Sequence, residues 1–219
     1  TLSRVDKITE SGQPDMLIDS IPPQSSVDIK ITRPEIYFGE LTDDYVLVNT
    51  DEDEFDYPDG NSNRYCQYKA DVGIKLNPLT RFMFSVREKS LKMLVSGNIN
   101  SNSKILINRN IKTRVKAIMP YLDYDEDPYA VTVNGKMYWI VDAYTATDKY
   151  PYSEPYSTDT DVDYVRNSIK VVIDAYTGET NYYIVDSTDP IAQTFKNIYP
   201  KLFKDFSEMP TELQAHIRY

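Results

Sequence analysis

Cysteine, histidine and tryptophan each occur once in the 219 residues, and glycine only seven times. A lone Cys66 excludes an internal disulfide but leaves the compartment open, because many extracytoplasmic bacterial domains also lack disulfides. His216 is the only imidazole and lies far from Cys66 in the chain, which disfavours a Cys–His nucleophilic pair. There is no Gly-rich phosphate cradle, no Gly-x-Ser-x-Gly elbow and no zinc signature. Apolar runs are short, "MYWIV" and "VVI" being the longest cores, against the roughly eighteen residues that a membrane span needs. Without a signal peptide, and opening on Thr1 rather than Met, the chain reads as a soluble piece of something larger.

What is present points to a globular fold. Hydrophobic residues make up 41% and charged residues 26%, which excludes a disordered chain. Nineteen tyrosines stand against seven phenylalanines. Tyrosine joins an apolar ring to a hydroxyl, so the excess fits half-buried strand faces, with a carbohydrate- or protein-binding surface as the alternative. Charge is unevenly spread in a chain of net −10. Eight acids and no base lie between Asp43 and Asp59, whereas Lys75 to Lys116 carries ten bases and one acid, Glu88. Apart from that basic segment, such a chain repels nucleic acid, and no nucleic-acid partner is expected.

The pattern along the chain predicts an α+β fold. Residues 1–26, with "SGQPD" and "IPPQSS", read as an irregular lead-in, and residues 27–219 as one domain. Strands are expected in "VDIKITRPEIYFG", "YVLVNT" and "RYCQYKA". Asn77 and Pro78 open a central basic helix that places Leu79, Phe82, Met83 and Val86 on one face. A second helix carries Ile111, Val115 and Ile118. Two hairpins follow in the C-terminal half, one turning at Asn134-Gly135 and one around Thr177-Gly178-Glu179. Short helices from Asp189-Pro190 onward close the chain. Asp-Ala-Tyr-Thr occurs twice, at Asp142 and again 32 residues later at Asp174. Both copies are expected in sheet, their aspartates anchoring strand ends.

Three groups of residues are candidates for a site. Alternating carboxylates, Asp123, Asp125, Asp127 and Asp159, Asp161, Asp163, resemble the start of a calcium loop, since a hard cation needs clustered oxygen ligands. The EF-hand pattern then fails, with Pro128 or Tyr164 where glycine is required and Asn134 or Lys170 where glutamate is required. Solvated acidic loops are the competing reading. The second group is a Pro-stiffened loop with Tyr150, Tyr152 and Tyr156, followed by Arg166 and Asn167. Rigid aromatics beside polar donors suit a binding surface for a ligand or partner, although a loop folded onto its own sheet would have the same composition. The third is the basic helical segment, which fits an anionic membrane surface if its apolar face is exposed, or the protein interior if it is not.

Several of these stretches together resemble a known family. "RPEIYFGELTDDYVLVNT", "EFDYPDG", "YDEDPYAVTVNGKMYWIVDAYT", "YPYS", "YVRNSIKVVIDAYTG" and "MPTELQAHIRY" look like uncharacterised protein family 0182, large prokaryotic multi-span membrane proteins. The likeness runs in order from about Arg33 to Tyr219. It implies a parent protein with N-terminal transmembrane helices and a large extracytoplasmic region, of which this chain is a part. It brings no activity, cofactor or catalytic residue. The expected function is therefore non-enzymatic: an interaction or ligand-sensing module at the cell membrane. Its expected partners are the transmembrane portion of the same protein, the membrane surface, or another extracytoplasmic protein. The alternatives are an extracytoplasmic hydrolase with a carboxylate pair and a calcium-stabilised structural module.

Overall fold

Asn134 and Gly135 both take positive φ, 51° and 76°, and join two strands in the two-residue turn that matches the strands' own twist. This hairpin is the start of the main sheet. The computed structural model describes residues 2–20, 22–59, 61–155 and 157–218. It divides into two units, Thr1–Glu40 with Asn110–Tyr219, and Leu41–Arg109. One unit was expected over residues 27–219. The second unit is inserted with no linker of distinctive composition, so the sequence shows no boundary.

The first unit begins with an antiparallel sheet of β1 (Leu2–Ile8), β2 (Pro14–Asp19) and β3 (Gln24–Ser25). Regular structure thus occupies much of the stretch expected to be irregular. The turn-rich "SGQPD" is itself the hairpin loop, with Gly12 at φ 77° and its amide 2.9 Å from the Thr9 carbonyl. Residues 27–36, by contrast, form no strand despite their alternation. Together with Tyr37 and Phe38 they spend backbone donors on the main sheet's turns: Thr32 N–H on Gly135, and those of Tyr37 and Phe38 on Ala175. Gly39 then forms a parallel bridge with Asn110, and the Asn110 amide side chain donates to the Glu40 carbonyl at 2.7 Å.

The second unit carries β4 (Val46–Val48), β5 (Glu54–Asp59), β6 (Ser62–Cys66), β7 (Ile74–Lys75), α1 (Pro78–Arg87), α2 (Leu91–Val95) and β8 (Lys104–Leu106). Strands β4, β8 and β7 form one antiparallel sheet, and β5 and β6 a separate hairpin. Its core joins Leu76, Met93 and Ile105 to Leu47, Phe84 and Ile107. Asn77 caps α1 by accepting from the Thr80 amide at 2.9 Å. Lys89, at φ 51°, interrupts the helical stretch, and Ser90 begins α2. Leu79, Phe82, Met83 and Val86 do share one face of α1, and that face is exposed.

The chain returns to the first unit with α3 (Ile111–Ile118), β9 (Asp123–Tyr124), β10 (Tyr129–Val133), β11 (Lys136–Thr147), β12 (Tyr164–Asp174), β13 (Thr180–Ile184), α4 (Pro190–Ile198), β14 (Phe203–Asp205) and α5 (Thr211–Gln214). The strands make a six-stranded sheet in the order β10-β11-β12-β13-β14, with β9 also on β11. All pairs are antiparallel except β13 with β14. The fold is α+β with a mainly antiparallel sheet. One face buries Val131, Val133, Ile140, Val172 and Tyr183 with Met209 and Leu213 of the C-terminal segment. On the other, Tyr182 is fully buried and its hydroxyl donates to the Val115 carbonyl of α3 at 3.1 Å, which satisfies the one polar atom such a ring brings inside. Among the described residues no helix is long and apolar enough to cross a membrane.

The two Asp-Ala-Tyr-Thr copies occupy different structures. Asp174 ends β12 and accepts the amides of Tyr176 and Thr177 at 2.8 and 2.9 Å, as expected of an anchor. Asp142 lies inside β11, because that strand continues to Thr147. Gly178 closes the second hairpin at φ 71°, and a Cβ there would meet the buried Phe38 ring at 2.6 Å. Gly178→Ala should therefore destabilise the chain by at least about 1 kcal/mol, or roughly 2–4 °C in Tm for a domain of this size. A thermal unfolding curve unchanged from wild type would refute this packing.

Candidate functional site

The loop between β11 and β12 places two aromatic rings against each other. The Tyr150 amide donates to both carboxylate oxygens of Asp163 at 3.1 Å, which turns the ring back over the sheet end. There it stacks on Tyr164, with centroids 4.6 Å apart and planes 17° apart. The Arg166 guanidinium lies 5.6 Å from the centre of the Tyr164 ring, and its Nη1 donates to Asp186 and to Thr188, both at 3.0 Å. Both neighbours hold the arginine in place, and Asp186 stays below the ordinary carboxylate range chiefly because Thr188 donates to it. Tyr152, two residues after Tyr150, is fully exposed at φ 62°. A bulky residue seldom adopts that backbone conformation. Tyr156 lies outside the described residues.

The platform is joined to the interior through Asp189, the N-cap of α4. Asp189 accepts the Ile191 amide at 2.8 Å and the Tyr164 hydroxyl at 2.9 Å on Oδ1, while the hydroxyls of Thr145 and Ser168 donate to Oδ2. Burial alone would push Asp189 up. The hydrogen bonds from Ser168, Thr145, Tyr164 and Ile191 outweigh it and hold the group below its usual range. Tyr164 is pushed the other way, to about 12, first by burial and then by its bond to Asp189.

Arg166 and Asn167, expected side by side on one surface, diverge. Between the pairs Thr145–Arg166 and Ala143–Ile169, two residues of β12 face one of β11, and this bulge redirects the side chains. Asn167 turns inward: its Nδ2 donates to Asp142 at 2.9 Å and its Oδ1 accepts from Lys170 at 3.0 Å. It is a bridge within the sheet, with both ends of its amide occupied. Lys170 itself is fully buried, with Nζ 2.8 Å from Asp142 and 3.3 Å from the Arg218 carbonyl. Sequence reasoning passed over this centre. The signal was Lys170 at the inward-facing position two before Val172, where a charge needs a partner.

The alternating aspartates do not converge. Among the described residues no three His, Cys, Asp or Glu side chains form a group that could hold a metal ion. Asp125 spends its oxygens on the Tyr144 hydroxyl at 2.9 Å and the Asp127 amide at 2.8 Å, and Asp163 holds the Tyr150 amide. Asp123 sits in β9, and Asp159 and Asp161 are exposed loop residues. Asp125 and Asp163 thus serve local structure, and the arrangement agrees with the reading of solvated acidic loops rather than with its calcium-loop alternative. Asp125, Asp186 and Asp189 are held low by donated hydrogen bonds, the opposite of the raised carboxyl that a general acid at neutral pH needs.

Two outcomes test the interior groups. Asp142→Ala leaves Lys170 buried without its counter-charge and should cost about 3–5 kcal/mol, whereas Asp142→Leu with Lys170→Met should lie much nearer wild type. Urea unfolding compares them, and equal losses would show that the pair is not what that part of the sheet depends on. Asp189 binds its proton less readily folded than unfolded, so it contributes stability above the ordinary carboxyl range and loses it as pH falls below about 4. Asp189→Asn should therefore lower Tm at neutral pH and flatten its decline between about pH 5 and 3. Parallel curves for the two proteins would refute the assignment.

Comparison with known proteins shows what the chain is similar to. The family model described as "Uncharacterised protein family (UPF0182)" matches residues 1–219. A UPF0182 protein of Clostridium acetobutylicum is 52% identical over 218 residues, covering 100% of this chain and 24% of that protein. One from Alkaliphilus metalliredigens is also 52% identical, with 100% and 23% covered, and one from Clostridium botulinum strain Kyoto is 49% identical, with 100% and 24% covered. No solved structure matches. The chain spans about a quarter of the length of these relatives. It belongs to uncharacterised protein family UPF0182.

Proposed function

We propose that this chain is an interaction module of a longer protein, and that the platform of Tyr150, Tyr164 and Arg166 with the projecting Tyr152 is its contact surface. The observation that carries this reading is Tyr152, a fully exposed aromatic at φ 62° two residues along the chain from Tyr150, whose platform partners are fixed. Strained backbone persists where the surroundings hold it, and it concentrates at sites of recognition. Tyrosine gives such a site a large amphipathic contact at low conformational cost, and a nearby arginine is the other residue most enriched at binding hot spots. The reading places the module outside the cytoplasmic membrane as part of a membrane-anchored parent, as the family resemblance implies.

The test separates recognition from folding. Tyr152→Gly should leave Tm unchanged or slightly raised, since glycine adopts positive φ without cost. A photoreactive phenylalanine analogue at position 152 of the full-length protein should give one discrete crosslinked product in cells. The same group at Lys201, an exposed position of the same unit, should not. Identical patterns from the two positions, or no product from 152, would count against the proposal.

A further inference from the structure

Helix α1 has its polar and apolar sides reversed relative to ordinary packing. Leu79, Phe82, Met83 and Val86 recur at i, i+3, i+4 and i+7, the spacing of a core-facing stripe, yet they are 68%, 54%, 59% and 62% exposed. The opposite arc packs within the unit and is polar apart from Phe84, which joins the core. Ser85 is buried with its hydroxyl on the Phe82 carbonyl at 2.7 Å, and Thr80 donates to the Lys75 carbonyl at 2.7 Å. Arg81 donates to the Met93 carbonyl at 2.7 Å and also to that of Ser96. Helix α2 continues the pattern: Met93 is buried, while Leu91 and Val95 are 77% and 78% exposed. With Leu94 at 38%, seven large apolar side chains on two consecutive helices therefore face outward, far more than scattered surface leucines account for.

Cations accompany these residues. Lys75, Arg87, Lys89 and Lys92 are all exposed, and the one acid among them, Glu88, is paired with Arg87 at 3.2 Å. Among the described residues Lys75, Lys89 and Lys92 enter no salt bridge. No acid of the loop between Asp43 and Asp59 forms a salt bridge with these lysines among the described residues, although Asp51 and Glu52 accept from Asn100 and Asn98 just beyond α2, both at 2.8 Å.

We infer that α1 and α2 dock on an anionic lipid bilayer, with Leu79, Phe82, Met83, Val86, Leu91 and Val95 entering the boundary between headgroups and acyl chains. An anionic bilayer supplies both things this face lacks, an apolar layer about 5–10 Å deep and negative charge around it. A second copy of the chain would bring the same apolar arc but also the same unpaired lysines, placing like charges against each other across a two-fold contact. This inference concerns a different surface from the Tyr152 platform and stands independently of it.

The experiment is co-sedimentation of the 219-residue chain with vesicles of mixed phosphatidylglycerol and phosphatidylcholine, or of phosphatidylcholine alone, at low and high salt. Binding should require phosphatidylglycerol and weaken as salt rises. Phe82→Ser with Val86→Ser, and separately Lys89→Glu with Lys92→Glu, should each lower the partition constant about tenfold or more. Tm should not move, because these side chains are exposed. If the serine pair in α1 perturbs folding, Leu91→Ser with Val95→Ser reads the same loss from α2. Failure of the wild-type chain to sediment with anionic vesicles would overturn the inference, as would equal binding by the serine variants. So would a dimer in sedimentation velocity that the serine variants abolish while vesicles recruit nothing, since that would assign the face to a second copy.

Discussion

Lys170 has no route to water, and much of the first unit is arranged around that fact. It sits opposite Asp142 in the central pair of the six-stranded sheet, where an unneutralised ammonium would be intolerable. The cross-strand pairing does more than neutralise it. A shift of one residue between β11 and β12 would set Lys170 against Val141 or Ala143 and turn the faces of one strand over. Opposite charges at one rung thus specify the register in which Ile140, Val172 and Tyr183 meet Met209 and Leu213. The C-terminal segment takes part directly, through the Arg218 carbonyl that Lys170 reaches.

The bulge beside this pair divides the sheet's labour. One extra residue in β12 sends Asn167 inward to complete the buried centre, while Arg166 reaches Asp186 and Thr188 at the surface. In a regular strand Asn167 would share the face of Ile169 and Val171, and the extra residue puts it on the face of Lys170 instead. The ionic interior thus depends on this irregularity, while the platform is set by Asp163 on the Tyr150 amide and tied by Asp189 to the underlying hydroxyls.

Local chemistry was legible in the sequence and destination was not. Asn134-Gly135, the Asn77 cap and the Asp189-Pro190 helix start were all readable, because each is decided by residues within a turn of one another. The spacing of Leu79, Phe82, Met83 and Val86 identified a face, but periodicity carries no sign for inside or outside. Alternation over residues 27–36 was misleading for a related reason: an extended segment that bonds to distant turns has the same pattern as a strand in a ladder. Of the surface residues proposed from sequence, Tyr150 and Arg166 both lie against the Tyr164 ring, and Tyr152 is exposed in the loop between the strands. Asn167 was misplaced because a bulge depends on how two strands pair, which neither strand shows alone.

The bridge between Gly39 and Asn110 has a topological consequence. The chain leaves the first unit and re-enters it at neighbouring points, so everything between them is one closed excursion. The entropy of closing a loop grows only with the logarithm of its length, by about 0.6 kcal/mol per doubling. Once its ends are joined, a change in the length of the excursion alters the cost of closing it only slightly.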